Sequence, residues 1–225
     1  CTAYNIRMAN EYIQAVGLKS KPLIKALIHE IYEAKALPFY DLNDEELLVH
    51  KLNHCTEEQL SIEYSAKTQM YNQMDKFIKI GAVDNGAILQ TIPRNKLMIF
   101  LKYESQLTEI RLKKPYIVMK FIGDDLVEKS KLEKEPLEEF YYSVMLADYP
   151  KMSLAMNKLK PLLENTNKVR IHNDKTDITF SIKNMPVVTC DGKVNLPDGE
   201  VFTAPLRDSV NGVITFNTPS YYHGD

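Results

Sequence analysis

Glycine is scarce in this chain, eight residues in 225. Neither G-x-G-x-x-G nor G-x-x-x-x-G-K-[ST] occurs, and a backbone cradle for phosphate needs glycines at those close-approach positions. That argues against a phosphate-loop nucleotide site. No G-x-S-x-G is present either, which removes the nucleophile elbow. The cysteines are few: Cys1, Cys55 and Cys190 are odd in number, far apart, and form no C-x-x-C. Neither a disulfide framework nor a zinc ribbon follows, and a reducing cytoplasm is the default setting. No apolar run approaches the ~18 residues that span a bilayer, and the opening CTAYNIRMANEY lacks the continuous apolar segment of a signal peptide. Charge is balanced at a net −2, with both signs interspersed, so no electrostatic footprint for nucleic acid is present. Neither nucleic acid nor membrane is expected as a partner.

What is present is an ordinary globular composition, 44% hydrophobic and 26% charged, on a length that suits one large domain or two small ones. The first half alternates between periods. YIQAV (residues 12–16) reads as a short strand. KPLIKALIHEIYEAKA follows with Leu23, Ile24, Leu27, Ile28 and Ile31 at helical spacing behind Ser20 as a cap. LPFYDL (37–42) reads as a second strand, with Asn43 or Asp44 capping the next helix. Thr56-Glu57-Glu58-Gln59 is a capping-box pattern, opening a helix expected to run to about Ile78 with Leu60, Tyr64, Tyr71, Met74 and Ile78 on one face. GAVDNGAIL and PYIVMKF (115–121) are further strands. A helical region spans about Leu137 to Leu163, with Phe140, Val144, Met152, Met156 and Leu159 as its expected buried stripe, and Pro150 and Pro161 split it into two or three shorter helices rather than one rod. This β-α-β-α rhythm predicts an α/β domain with a largely parallel sheet flanked by helices.

After Asn167 the texture changes. KVRIH, DITFSI, PVVTC, EVFTAP and GVITF are short strands separated by Asp191-Gly192, Asp198-Gly199 and Asn211-Gly212. Val210-Asn211-Gly212-Val213 predicts a type I′ hairpin. The expected organisation is therefore an N-terminal α/β domain over 1–167, followed by the antiparallel β start of a second domain over 168–225. Because the chain begins at Cys1 rather than methionine, and five short strands look like the opening of a domain, further residues are expected on both sides.

Candidate chemistry is thin. His50 and His54 lie four apart, but KLN between them lacks the glutamate of H-E-x-x-H, so a solvated helix end is the better reading. His172, in RIHND, reads as a strand end. EKSKLEKE (128–135) is a mixed charge run on a solvated face. Glu200 is different. In NLPDGEVFTAP, Pro197, Asp198 and Gly199 supply turn chemistry, and Glu200 then shares one strand face with Phe202 and Ala204. Spacing leaves two readings open: an edge-strand carboxylate, or an acid held rigidly beside apolar walls as a metal ligand must be held.

The wording of the last third resembles the M29 metallo-aminopeptidases, the aminopeptidase T, S and PepS group. The matching elements are Thr176-Asp177, the run Asn195 to Pro205, and Asp208-Ser209-Val210-Asn211-Gly212. GLKSKPLIKALIHEIYEAKALPFYDL and MDKFIKIGAVDN also resemble the N-terminal domain of that family, more loosely. The resemblance implies a catalytic second domain carrying two divalent ions (zinc, cobalt, magnesium or manganese), peptide substrates, and a cytoplasmic homodimer. It places one metal ligand, Glu200. The remaining ligands and the catalytic residues are expected beyond residue 225, and His223 corresponds to none of them. The start is shorter than in relatives, and so is the segment around KFIGDD (120–125). The residues as given are accordingly expected to be inactive, with the full-length protein a metal-dependent aminopeptidase. The alternative is a non-catalytic α/β binding or dimerisation scaffold.

Overall fold

The computed structural model describes residues 8–16, 20–81 and 91–217. The chain forms two compact units: one holds residues 1–146 and 193–197, the other 147–192 and 198–225. In the first unit, strands β1 (Asn10–Val16), β2 (Leu37–Asn43), β3 (Lys76–Gly81), β4 (Tyr116–Lys120) and β8 (Asn195–Leu196) make one sheet in the order β2-β1-β3-β4-β8. All four pairings are parallel. Helices α1 (Lys21–Glu33), α2 (Glu45–His54), α3 (Glu57–Gln73), α4 (Arg94–Leu112), α5 (Asp124–Ser130) and α6 (Lys134–Met145) complete it.

Both sheet faces are covered, so β1 carries buried side chains on both faces rather than on one. Successive β1 side chains enter opposite cores. Tyr12 joins Phe77, Leu52 of α2, Leu60, Tyr64 and Tyr71 of α3, and Leu107 of α4. Ile13 and Ala15 join Ile24 and Ile31 of α1, with Ile80 and Met119. The crossover from β1 to β2 therefore lies on one face and that from β3 to β4 on the other, making β1 and β3 the topological switch point.

Local signals account for the helix starts. Asp44 caps α2, its carboxylate accepting from Leu47 N at 3.0 Å. Thr56 and Gln59 form the reciprocal capping box of α3, at 2.9 and 3.2 Å, a device worth about 1 kcal/mol. That helix ends at Gln73, earlier than its apolar spacing predicts, and Ile78 belongs to β3. The expected GAVDNGAIL strand lies outside the described residues after Gly81.

The second unit contains α7 (Tyr149–Glu164), β5 (Lys168–His172), β6 (Asp177–Ser181), β7 (Val188–Cys190), β9 (Glu200–Phe202) and β10 (Asn211–Val213). Its strands pair antiparallel: β5 with β6, β6 with β10, and β7 with β9. The division of the chain thus falls twenty residues before the change of texture at Asn167, because α7 packs on β7 and β9. The single buried stripe expected across residues 137–163 is not found. Phe140 is 64% exposed and Leu159 43%, while Leu137 and Met156 are buried. The region does divide into two helices as its prolines suggest, with the break at 146–148 ahead of Pro150, while Pro161 stays inside the second. The Asn211-Gly212 hairpin is also corrected: both residues are in β10, with Gly212 opposite Ile178. Asn-Gly supplies the positive φ that a I′ turn would use, but here Gly212, at φ 122°, uses it to bring two strands close.

Candidate functional site around Glu200

Glu200 opens β9 and faces Cys190 of β7 in register. The segment before it is supported from below by α7. Tyr149 Oη accepts from Asp198 N at 3.2 Å. The Asp198 carboxylate in turn accepts from Gly192 N and Gly199 N, both at 3.1 Å, and Ser153 Oγ donates to Asp191 at 2.9 Å. Gly192 and Gly199 have φ of 82° and 139°. A Cβ at Gly192 would sit 2.6 Å from the Tyr149 ring, so glycine is required there by packing as well as by conformation. The Leu196–Pro197 peptide is cis. Turn residues and helix together fix the backbone on which Glu200 stands.

The side chain itself is exposed, and Phe202 on the same face is 47% exposed. The Cys190 thiol beside Glu200 is half-buried. Its pKa is pushed up, first by loss of solvent and then by Asp198, Glu200 and Asp191. Among these acids, Asp198 is engaged with two backbone amides. Asp177, in the Thr176-Asp177 element, is held by Arg170 through a two-point ion pair of 2.8 and 2.7 Å, which keeps its pKa low. Among the described residues, no three His, Cys, Asp or Glu side chains converge as a metal site. Dedicated metal sites gather four or more donors, and no such group forms around Glu200 among the described residues.

The rest of the signature is structural in its contacts. Thr176 is buried, and its Oγ1 accepts from Thr215 N at 3.0 Å. Ser209, at the end of the 3₁₀ turn Arg207–Ser209, accepts from Ser181 N at 2.8 Å and donates to Leu206 O at 2.7 Å. His50 and His54 stack at 4.3 Å, and His54 Nδ1 lies 2.7 Å from His50 O, as a helix end does. His172 closes β5 opposite Asp177 and is exposed. His223 lies outside the described residues. Sequence reasoning missed Cys190 as the partner of Glu200. Pairing PVVTC with EVF across the Asp191-to-Gly199 excursion would have found it.

Residues 144–225 match a family model described as thermophilic metalloprotease (M29). That part of the chain is similar to the M29 metalloproteases. No curated protein matches the sequence. Among solved structures, wild-type AmpT from Thermus thermophilus is similar at TM-score 0.68 and 18% identity, over 96% of this chain and 61% of that chain. The chain thus spans about three-fifths of the length of AmpT, and at that identity the likeness speaks for the fold. The matched residues include α7 and the strands β7 and β9 around Glu200. Among the described residues, no helix is long and apolar enough to cross a membrane.

Proposed function

We propose that the full-length protein is a metal-dependent aminopeptidase and that Glu200 is one ligand of a centre holding two divalent ions. The observation that carries this reading is the M29 metalloprotease match over residues 144–225, which takes in the braced turn and the strand that Glu200 opens. When bound, such ions supply a water of lowered pKa and polarise the substrate carbonyl. The part of this chain is narrower: it presents one carboxylate on a backbone fixed by Tyr149, Asp198 and two positive-φ glycines. A carboxylate accepts zinc, cobalt, magnesium or manganese alike. Peptide substrates, a cytoplasmic setting and a homodimeric state belong to the same proposal.

The test is an assay of the full-length protein on peptide amides, with each metal titrated in. Release of the N-terminal residue, abolished by chelation and absent with N-acetylated peptides, is the expected result. Residues 1–225 alone should show no metal-dependent turnover, because among the described residues no group of three or more donors forms around Glu200. Turnover that survives chelation, or robust cleavage by residues 1–225, would overturn the reading.

A further inference from the structure

The first unit carries a cavity of about 250 Å³ for which the metallopeptidase reading has no use. It opens at the carboxyl ends of β1, β2 and β3, where Gln14, Asp41 and Lys79 reach its lining, and it runs down between the sheet and α2, α3 and α4. That is the crevice of the topological switch point, the usual place for a ligand in an open α/β sheet. Its volume lies just below the ~300–1,000 Å³ usual for drug-sized ligands, so a small molecule is the appropriate occupant.

The chemistry of the walls selects the kind of molecule. Three tyrosines, Tyr12, Tyr64 and Tyr71, are each at least 97% buried. Tyr64 Oη donates to Glu104 at 2.5 Å, and Tyr12 is hydrogen-bonded to Asp41. Burial, and then these two carboxylates, hold all three phenols neutral far above neutral pH. They therefore serve as donors and as apolar faces rather than as anions. Two of the three lysines in the lining, Lys51 and Lys67, are already paired with Glu63 at 2.9 and 3.0 Å. Lys67 Nζ also stands 5.1 Å from the centre of the Tyr64 ring, so one ring of this cavity already accepts an ammonium. Asp41, Asp44, Glu45 and Glu104 of the lining, together with Glu63, are five carboxylates against the three lysines Lys51, Lys67 and Lys79, so negative charge is in excess. Carboxylates beside desolvated aromatic faces attract organic cations, by charge and by the ring quadrupole together.

We propose that this cavity is a binding site for a small aliphatic amine, the size of a short diamine, with its ammonium group between Glu104 and Asp41 against the tyrosine rings. The lack of a glycine-rich phosphate loop in the sequence agrees with a ligand that needs no glycine cradle. The site is separate from Glu200 and stands or falls independently of it.

Isothermal titration of the protein with putrescine tests it, beside the uncharged isostere 1,4-butanediol and the dianion succinate. Saturable binding of putrescine, with neither diol nor succinate competing, is expected. Glu104→Gln, which removes the charge but keeps a hydrogen-bond acceptor for Tyr64, should weaken it at least tenfold. If that variant does not fold, Gln14→Lys places a competing ammonium at the cavity mouth and should abolish binding. Preference for succinate, equal affinity in the variant measured, or no putrescine heat at millimolar concentrations with the protein folded would each overturn the proposal.

Discussion

Gly212→Ala gives the sharpest stability test of the second unit. In β10 this residue faces Ile178, and its φ is 122°. A Cβ would lie 2.1 Å from Asp177 O, 2.9 Å from Ile178 Cα and 3.0 Å from the Asp177 carbonyl carbon. All three are backbone atoms, so no rotamer change relieves the clash. The conformation alone costs a non-glycine residue about 1–3 kcal/mol. Pushing β10 off β6 also forfeits two or three ladder hydrogen bonds, at a net ~0.5–1.5 kcal/mol each. Together these give a loss of about 2–7 kcal/mol, a large share of a domain's stability. Two glycines serve as controls. At Gly199 a Cβ meets only the mobile end of Met152, at 2.5 Å, with φ 139°, so alanine should cost only the conformational ~1–3 kcal/mol. At Gly81 the nearest atom is Met119 O at 3.9 Å, and alanine there should be neutral or slightly stabilising. Amide hydrogen exchange over residues 176–182 and 211–215 isolates the second unit from the first, so the three variants can be ranked without assuming a single unfolding transition. Protection lost in Gly212→Ala no faster than in Gly81→Ala would refute the close approach of β6 and β10.

Three further outcomes are expected. Thr56→Ala should remove the capping box of α3 and lower the stability of the first unit by about 1 kcal/mol, read from the urea midpoint; no change would mean that the reciprocal bonds contribute nothing. Burial tends to raise the Glu63 pKa, but Lys51 and Lys67 outweigh it and hold it low. Its stabilising contribution is therefore full above the ordinary carboxylate range and is lost as pH falls through the lowered value. The advantage of wild type over Glu63→Gln should shrink on acidification, and an advantage that grows would reverse the sign of the argument. Glu200→Gln removes one of the carboxylates that disfavour the Cys190 thiolate, so alkylation of Cys190 at fixed pH should quicken. An unchanged rate would separate the two side chains.

The fold was legible where one physical signal was strong and local. The capping box at Thr56, the cap at Asp44, and the β1–α1–β2 rhythm needed only short-range chemistry, and the structure shows each. Failures came where a tertiary partner decides the outcome. Periodicity placed Phe140 and Leu159 on a common buried stripe, yet a helix break at 146–148 assigns them to different units. Asn211-Gly212 has the composition of a tight turn, but its glycine serves a strand whose partner lies more than thirty residues away. β8 joins the parallel sheet through two residues, Asn195 and Leu196, too few for any pattern to declare. At the site, the turn before Glu200 was readable from Pro197 to Gly199. Its bracing by Tyr149, Met152 and Ser153 was not, since nothing within α7 signals which strands it supports. The acids Asp41 and Glu104, on β2 and α4, carry no mark in the sequence that joins them. They became meaningful only when the sheet order brought them together.

The central claim is that Glu200 holds metal. Its most direct test is metal content and affinity, measured on the protein expressed from its complete reading frame, for wild type and Glu200→Gln at equal fold as judged by circular dichroism. The account predicts that the substitution weakens retention of at least one ion by tenfold or more, since even outer-shell changes at such centres cost about 10–100-fold, with aminopeptidase activity falling in step. Metal stoichiometry and affinity unchanged in Glu200→Gln would contradict it.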